Sequence, residues 1–185
     1  MTDTTTRTLL RRAGVTVACA LAATATGLGG VAAASPAAAP GDHIPASINP
    51  ADCDSIPSQH DVAVTTTVHN VGVSMGASDK VMLAGFEAGW VESHMNNLPC
   101  GDQDSLGVFQ QRPSQGWGTP EQIMDVTYAA TQFFSQAIHN EPLYPDYTAG
   151  LLAQSVQRSC CPERYDESEG KAYEMLDEVR AKEIR

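Results

Sequence analysis

From about residue 60 onward, apolar residues fall at helical spacing, in segments separated by clusters of Gly, Pro, Asn and Ser. The spacing predicts a first helix near Asp61 to Met75, although the Val and Thr residues between Val62 and Val68 are poor helix formers. Gly76, Ala77 and Ser78 then end one element and cap the next. A second helix, over roughly Asp79 to Met95, carries Val81, Met82, Leu83, Phe86, Trp90 and Val91 on nearly every side, which is the pattern of a helix inside a core. Asn96 to Gly118 reads as loop, with Leu106 to Gln111 extended or turn-like. Thr119, Pro120 and Glu121 are a cap, a first-turn proline and an acidic first turn, and they predict a short helix. A longer one starts at Asp125, reaches about His139 and turns Tyr128, Phe133 and Ile138 to its apolar side. Tyr147 to Ser159 and Pro162 to about Lys182 supply two more, so the fold class is mainly α.

The pattern ahead of residue 60 is different. Arg7, Arg11 and Arg12 precede an Ala-rich apolar run from about Ala13 to Ala34 and then Ser35-Pro36-Ala37-Ala38-Ala39-Pro40, the order of a secretory signal peptide. Leu is sparse in the run, so it would gain little from entering a bilayer, and cleavage is favoured over anchoring. The Arg11-Arg12 pair leaves the export route open. Cys19 has too little apolar sequence before it to be a lipid-attachment site. Residues 1–35 are therefore read as signal peptide, 36–59 as a flexible Pro- and Ala-rich arm, and 60–185 as one domain. The product is expected to be secreted, extracellular or associated with a cell wall, monomeric, and off the membrane once the signal is removed.

The formal net charge is −11, and losing Asp3 with the three arginines makes it more negative. So acidic a surface excludes nucleic acid as a partner and gives no general attraction to anionic walls or membranes; any polymer must be held by a local groove. Cys53, Cys100, Cys160 and Cys161 remain after processing, and outside the cytoplasm they read as disulfides. A bridge between the adjacent Cys160 and Cys161 would close a strained ring, so each is expected to pair with Cys53 or Cys100. No C-x-x-C motif occurs and His43, His60, His69, His94 and His139 are scattered, so neither a metal nor a cofactor is expected.

The central chemical feature is Glu92, in the last turn of the central helix. The negative end of the helix dipole disfavours an ionised carboxylate there, and partial burial beside Trp90 and Val91 raises its pKa further. A carboxyl that keeps its proton is what a glycosidic oxygen needs in order to leave. On the same helical face stand Gly85, Ala88 and Gly89, which leave space either for a sugar or for another part of the chain to pack closely. Glu87 projects elsewhere, near Lys80, Leu83 and Val91, and reads as a structural carboxylate or an ion-pair partner of Lys80.

Glu92-Ser93, followed after a short loop by Asp104-Ser105-Leu106-Gly107-Val108-Phe109-Gln110-Gln111-Arg112-Pro113, resembles the transglycosylase-type lysozyme-like family, in which a helix ends in Glu-Ser and a Gly-x-x-Gln segment follows. The continuation Ser114-Gln115-Gly116-Trp117-Gly118-Thr119 is most similar to secreted actinobacterial variants, and the likeness spans roughly Val71 to Tyr165. It implies a lysozyme-like helical domain around a central buried helix, with an irregular loop or small β element after it. It further implies that Glu92 protonates the oxygen between N-acetylmuramic acid and N-acetylglucosamine in peptidoglycan glycan strands. Ser93 would support Glu92, Gly107 would let the chain pass close to the sugar, and Gln110 would bond to sugar or catalytic groups. The amides of Gln110 and Gln111 independently suit hydroxyls and N-acetyl groups. Trp117 is a stacking surface or a core anchor. Where relatives carry a Tyr-Asn pair this chain has Ser155-Val156-Gln157-Arg158-Ser159, so Gln157 is read as the polar substitute and Tyr165 as the aromatic.

Asp102 and Asp104 are the available second carboxylates, either positioning a water or capping turns. In the lytic reaction that the resemblance implies, the muramyl sugar's own hydroxyl attacks and no second carboxylate is needed. The same residues on an inactive domain would bind wall glycan or a protein partner without cutting.

Overall fold

Helix α2 (Asp79–Ser93) organises the molecule. Ser78 sits in extended backbone at its start, its hydroxyl accepting from the Val81 N–H at 3.1 Å, and His94 closes the other end at φ 51°. Val81, Ala84, Phe86 and Ala88, spread around the helix, have no exposed surface, so α2 runs through the core. The computed structural model describes Cys53, residues 55–159, Cys161 and residues 163–183. The predicted signal peptide and most of the predicted arm lie outside these residues.

Around α2 stand α1 (Val62–Ser74), α3 (Pro120–Met124), α4 (Val126–Asn140), α5 (Ala149–Gln157), α6 (Glu163–Glu167) and α7 (Glu169–Glu183). α4, α5, α6 and α7 pack against α2, while α1 packs mainly on α4 and α7. Short polar side chains start these helices: Asp61 accepts from Ala63 and Val64 N–H groups, Thr119 and Gln122 form a reciprocal capping box, and Asp125 caps α4. The fold is mainly α, and the one β feature among the described residues is the antiparallel bridge between Leu106 and Gln111.

Three expectations are corrected. α2 stops at Ser93 rather than Met95, because both His94 and Met95 take positive φ and turn the chain away. The last predicted helix is broken into α6 and α7, with Ser168 at the junction donating its hydroxyl to the Tyr165 carbonyl at 2.8 Å. Cys53 is bridged to Cys100, across 47 residues of sequence, and not to the Cys160-Cys161 pair. The cause is the path of the arm's end: the Pro57 carbonyl meets His94 Nδ1 at 2.7 Å and the Gln59 carbonyl accepts from the Asn96 amide at 3.0 Å, so the arm lies along the loop that holds Cys100. Cys161 is also disulfide-bonded.

The small residues of α2 are explained by packing. A Cβ at Gly85 would lie 2.7 Å from the Phe134 ring and one at Gly89 would lie 2.6 Å from Met95 Sδ. Phe134 and Met95 therefore fill the room beside this face of α2, and no sugar-sized space remains there.

Glu87 is not paired with Lys80, whose ammonium donates to the Pro145 carbonyl at 3.2 Å. Glu87 is 1 % exposed, and neither carboxyl oxygen has a hydrogen-bond partner. Burial first, then the charges of Asp166 and Glu169, raise its pKa from 4.5 to about 8, so the group is neutral at pH 7. A folded-state pKa above the unfolded one gives stability that is complete below about pH 4.5 and is lost as pH rises through 8. Glu87→Gln cannot ionise, and is expected to match the wild type near pH 4 and to exceed it by on the order of a few kcal/mol near pH 9. Urea denaturation at the two pH values checks this; equal differences at both would show that Glu87 does not titrate in the folded core.

Candidate functional site

Three pieces of chain meet at the C-terminal end of α2. The first is that end itself, carrying Glu92. The second is the loop from Asn96 to Trp117, and the third is the end of α5 running into α6. Hydrogen bonds join them. Ser93 Oγ donates to the Val108 carbonyl at 2.7 Å, and Gln157 Nε2 donates to the Phe109 carbonyl at 2.8 Å, so both α2 and α5 hold the turn that follows Gly107. Phe109 anchors that turn in the core by stacking on Phe133, with ring centres 4.7 Å apart. Between the pieces opens a groove of about 630 Å³, within the range of small-ligand sites.

Glu92 lines this groove and is half-buried. The Tyr165 hydroxyl donates to its Oε1 at 2.6 Å. Burial, and then the adjoining Glu92 charge, push the Tyr165 pKa well above the usual phenol range, so the tyrosine keeps its proton and is always the donor. That bond engages Oε1. Burial raises the pKa of Glu92, while the Tyr165 hydroxyl, the Gln157 amide and the Arg164 charge pull it back down. The net result is a carboxyl that holds its proton more firmly than a free glutamate.

The residues singled out in the sequence divide into two groups. Asp102, Gln110, Gln111, Trp117 and Gln157 line the groove with Glu92. Gln110 Nε2 donates to the carbonyls of Cys100 (3.2 Å) and Gly107 (3.1 Å), and Gln111 Nε2 donates to the Ala129 carbonyl at 3.2 Å. Buried Gln111 Oε1 has no partner. Trp117 packs partly against the core, and its carbonyl accepts from the Tyr128 hydroxyl at 3.3 Å.

Ser93, Gly107, Asp104 and Tyr165 are not among the residues that line the groove. Ser93 and Tyr165 have no exposed surface, so neither offers a face to a sugar. Gly107 has φ 76°, and a Cβ there would lie 2.6 Å from the Ile123 carbonyl oxygen, so α3 is what demands glycine. Asp104 braces the loop: its Oδ1 accepts from Arg112 Nε at 2.6 Å and its Oδ2 from the Ser114 N–H at 2.8 Å. Arg112 first, and then Ser114, hold the Asp104 carboxyl well below the usual carboxylate range. With its oxygens so engaged it is not a free base, which leaves Asp102 as the second carboxylate of the groove.

Sequence reasoning missed Arg158 and Arg164, which also line the groove. The one available signal was their place in the short Gln157 to Tyr165 segment, between two residues already under suspicion.

No protein-family model matches the chain, and no curated protein matches its sequence.

Proposed function

We propose that this is a peptidoglycan glycosidase with a lysozyme-like, transglycosylase-type domain, in which Glu92 is the catalytic acid and base. The observation that carries the reading is a half-buried carboxyl with a raised pKa, oriented by a tyrosine, at the edge of an open groove lined with amides. In the lytic route Glu92 Oε2 gives its proton to the oxygen linking muramyl C1 to the next sugar, and that bond breaks to an oxocarbenium-like centre. The muramyl C6 hydroxyl then adds to C1 and returns its proton to Glu92, so the enzyme ends in its starting state with an anhydromuramyl product. Only one carboxylate takes part in this cycle, which agrees with a groove whose other acid, Asp102, is exposed. The tyrosine is a positioning residue.

The test is clearing of a suspension of purified bacterial walls by the protein. A fall in turbidity with release of soluble fragments is expected. Binding to the walls without clearing would replace this reading with that of a glycan-binding domain.

Tyr165→Phe separates orientation from mere packing. Removing the hydroxyl takes away a bond that favours ionised Glu92, so the pKa of Glu92 rises. A general acid loses rate as pH climbs through its pKa, so the alkaline limb of the rate profile is expected to move to higher pH. At neutral pH kcat is expected to fall by up to about tenfold, the value of one neutral hydrogen bond. An unshifted profile would mean that Tyr165 does not act on the carboxyl.

A further inference from the structure

The groove holds two cations, Arg158 and Arg164, and the charge of Arg164 acts on Glu92. Arg158 and Arg164 are exposed, line the groove with Glu92, and their guanidinium groups have no ion pair or hydrogen bond to any described residue. Arg112, the other arginine there, is already engaged through Nε with Asp104 at 2.6 Å and through Nη2 with Gln103 at 2.7 Å. The acids of the lining are Glu92, whose pKa burial raises, and Asp102. In a chain of formal charge −11, two arginines without a hydrogen-bonded partner in this groove are a local reversal of sign.

Their placement is built. Arg158 closes α5 in the left-handed region at φ 55°, a conformation that costs a non-glycine residue about 1 kcal/mol. The turn is clamped by a reciprocal pair: Gln154 Nε2 donates to the Ser159 carbonyl at 2.9 Å, and Ser159 Oγ donates to Gln154 Oε1 at 3.0 Å. Arg164 immediately precedes Tyr165, whose hydroxyl holds Glu92, so its backbone is tied to the position of the reacting carboxyl. A guanidinium fork matches a carboxylate in shape and charge.

We propose that Arg158 and Arg164 form a carboxylate-binding subsite beside Glu92, so that the protein cuts glycan whose muramyl units carry a carboxylate and discriminates against neutral glycan. The inference rests on the glycosidase reading. Two sources present this chemistry: the lactyl carboxylate of a muramyl unit without peptide, and the carboxylates of an attached stem peptide.

Initial rates on peptide-bearing glycan and on amidase-stripped glycan, each before and after carbodiimide amidation of its carboxylates, test the proposal. Amidation is expected to raise KM about tenfold for the wild type with kcat little changed, the scale of one charged hydrogen bond. The double variant Arg158→Gln/Arg164→Gln is expected to show that higher KM on untreated glycan and to be indifferent to amidation. Both side chains are exposed, and matching thermal melts would verify the variant's fold. A KM effect confined to stripped glycan identifies the lactyl group as the ligand, and one confined to peptide-bearing glycan identifies the stem peptide; either supports the subsite. Equal KM values for wild type and variant on untreated and amidated glycan overturn it while leaving the glycosidase reading intact. A wild type that cuts none of the substrates overturns that reading and this inference with it.

Discussion

Glu92→Gln is expected to lower the rate of glycan cleavage by about 10²- to 10⁴-fold, the usual contribution of a positioned general acid. Glutamine keeps the shape of the side chain and still offers an oxygen to the Tyr165 hydroxyl, so the groove stays as it is and only the transferable proton is removed. The fold should not suffer. Burial raises the pKa of Glu92, so the ionised form is penalised in the folded state once pH passes the unfolded value. An amide carries no such penalty, and the variant is expected to melt at or above the wild-type temperature near neutral pH. A loss of activity without a loss of stability is the signature of a group placed for chemistry at some cost to folding. Release of soluble fragments from purified walls, followed over time, measures the rate. A variant cleaving at the wild-type rate would remove Glu92 from the mechanism.

The second large effect concerns the turn that follows Gly107. Phe109→Ala is expected to destabilise the protein by about 3–5 kcal/mol, the range for deleting a buried aromatic, and to lower Tm by roughly 10 °C. Phe109 has no exposed surface and stacks on Phe133. Its own carbonyl receives the Gln157 amide, so the cavity opens directly beneath the bond that joins α5 to the groove. Calorimetry decides the matter: a shift below about 2 °C would show that the turn holds its place by its backbone bonds alone. The contrast with Glu92→Gln is informative, since one change strikes the chemistry and the other the support of the same groove.

The helices were legible where their causes are local. Ser78, Thr119 and Asp125 start helices as their side chains require, and the all-round apolar pattern of α2 correctly placed it in the core. The position of Glu92 at a helix end was legible for the same reason. What the sequence concealed depends on long-range approach. The Cys53–Cys100 bridge follows from the arm returning along the loop after α2, a path set by His94 and Asn96 and not by cysteine spacing. Tyr165 reads from its residue type as a substrate-binding aromatic; only its burial and the hydroxyl's reach to Glu92 make it a partner of that carboxyl. Gly85 and Gly89 leave open in the sequence whether a sugar or the chain itself fills the space beside them, and Phe134 and Met95, from other parts of the chain, fill it. Asp104 and Asp102 look alike in sequence, and what separates them is the Arg112 side chain that closes on Asp104 alone.

Mass spectrometry of the ends left on digested wall glycan addresses proton transfer by Glu92 most directly. Wild-type protein is expected to leave anhydromuramyl ends, and Glu92→Gln, at equal concentration and with an intact fold, to leave essentially none. The same ends appearing in equal amounts from both proteins would contradict the assignment of Glu92 as the acid.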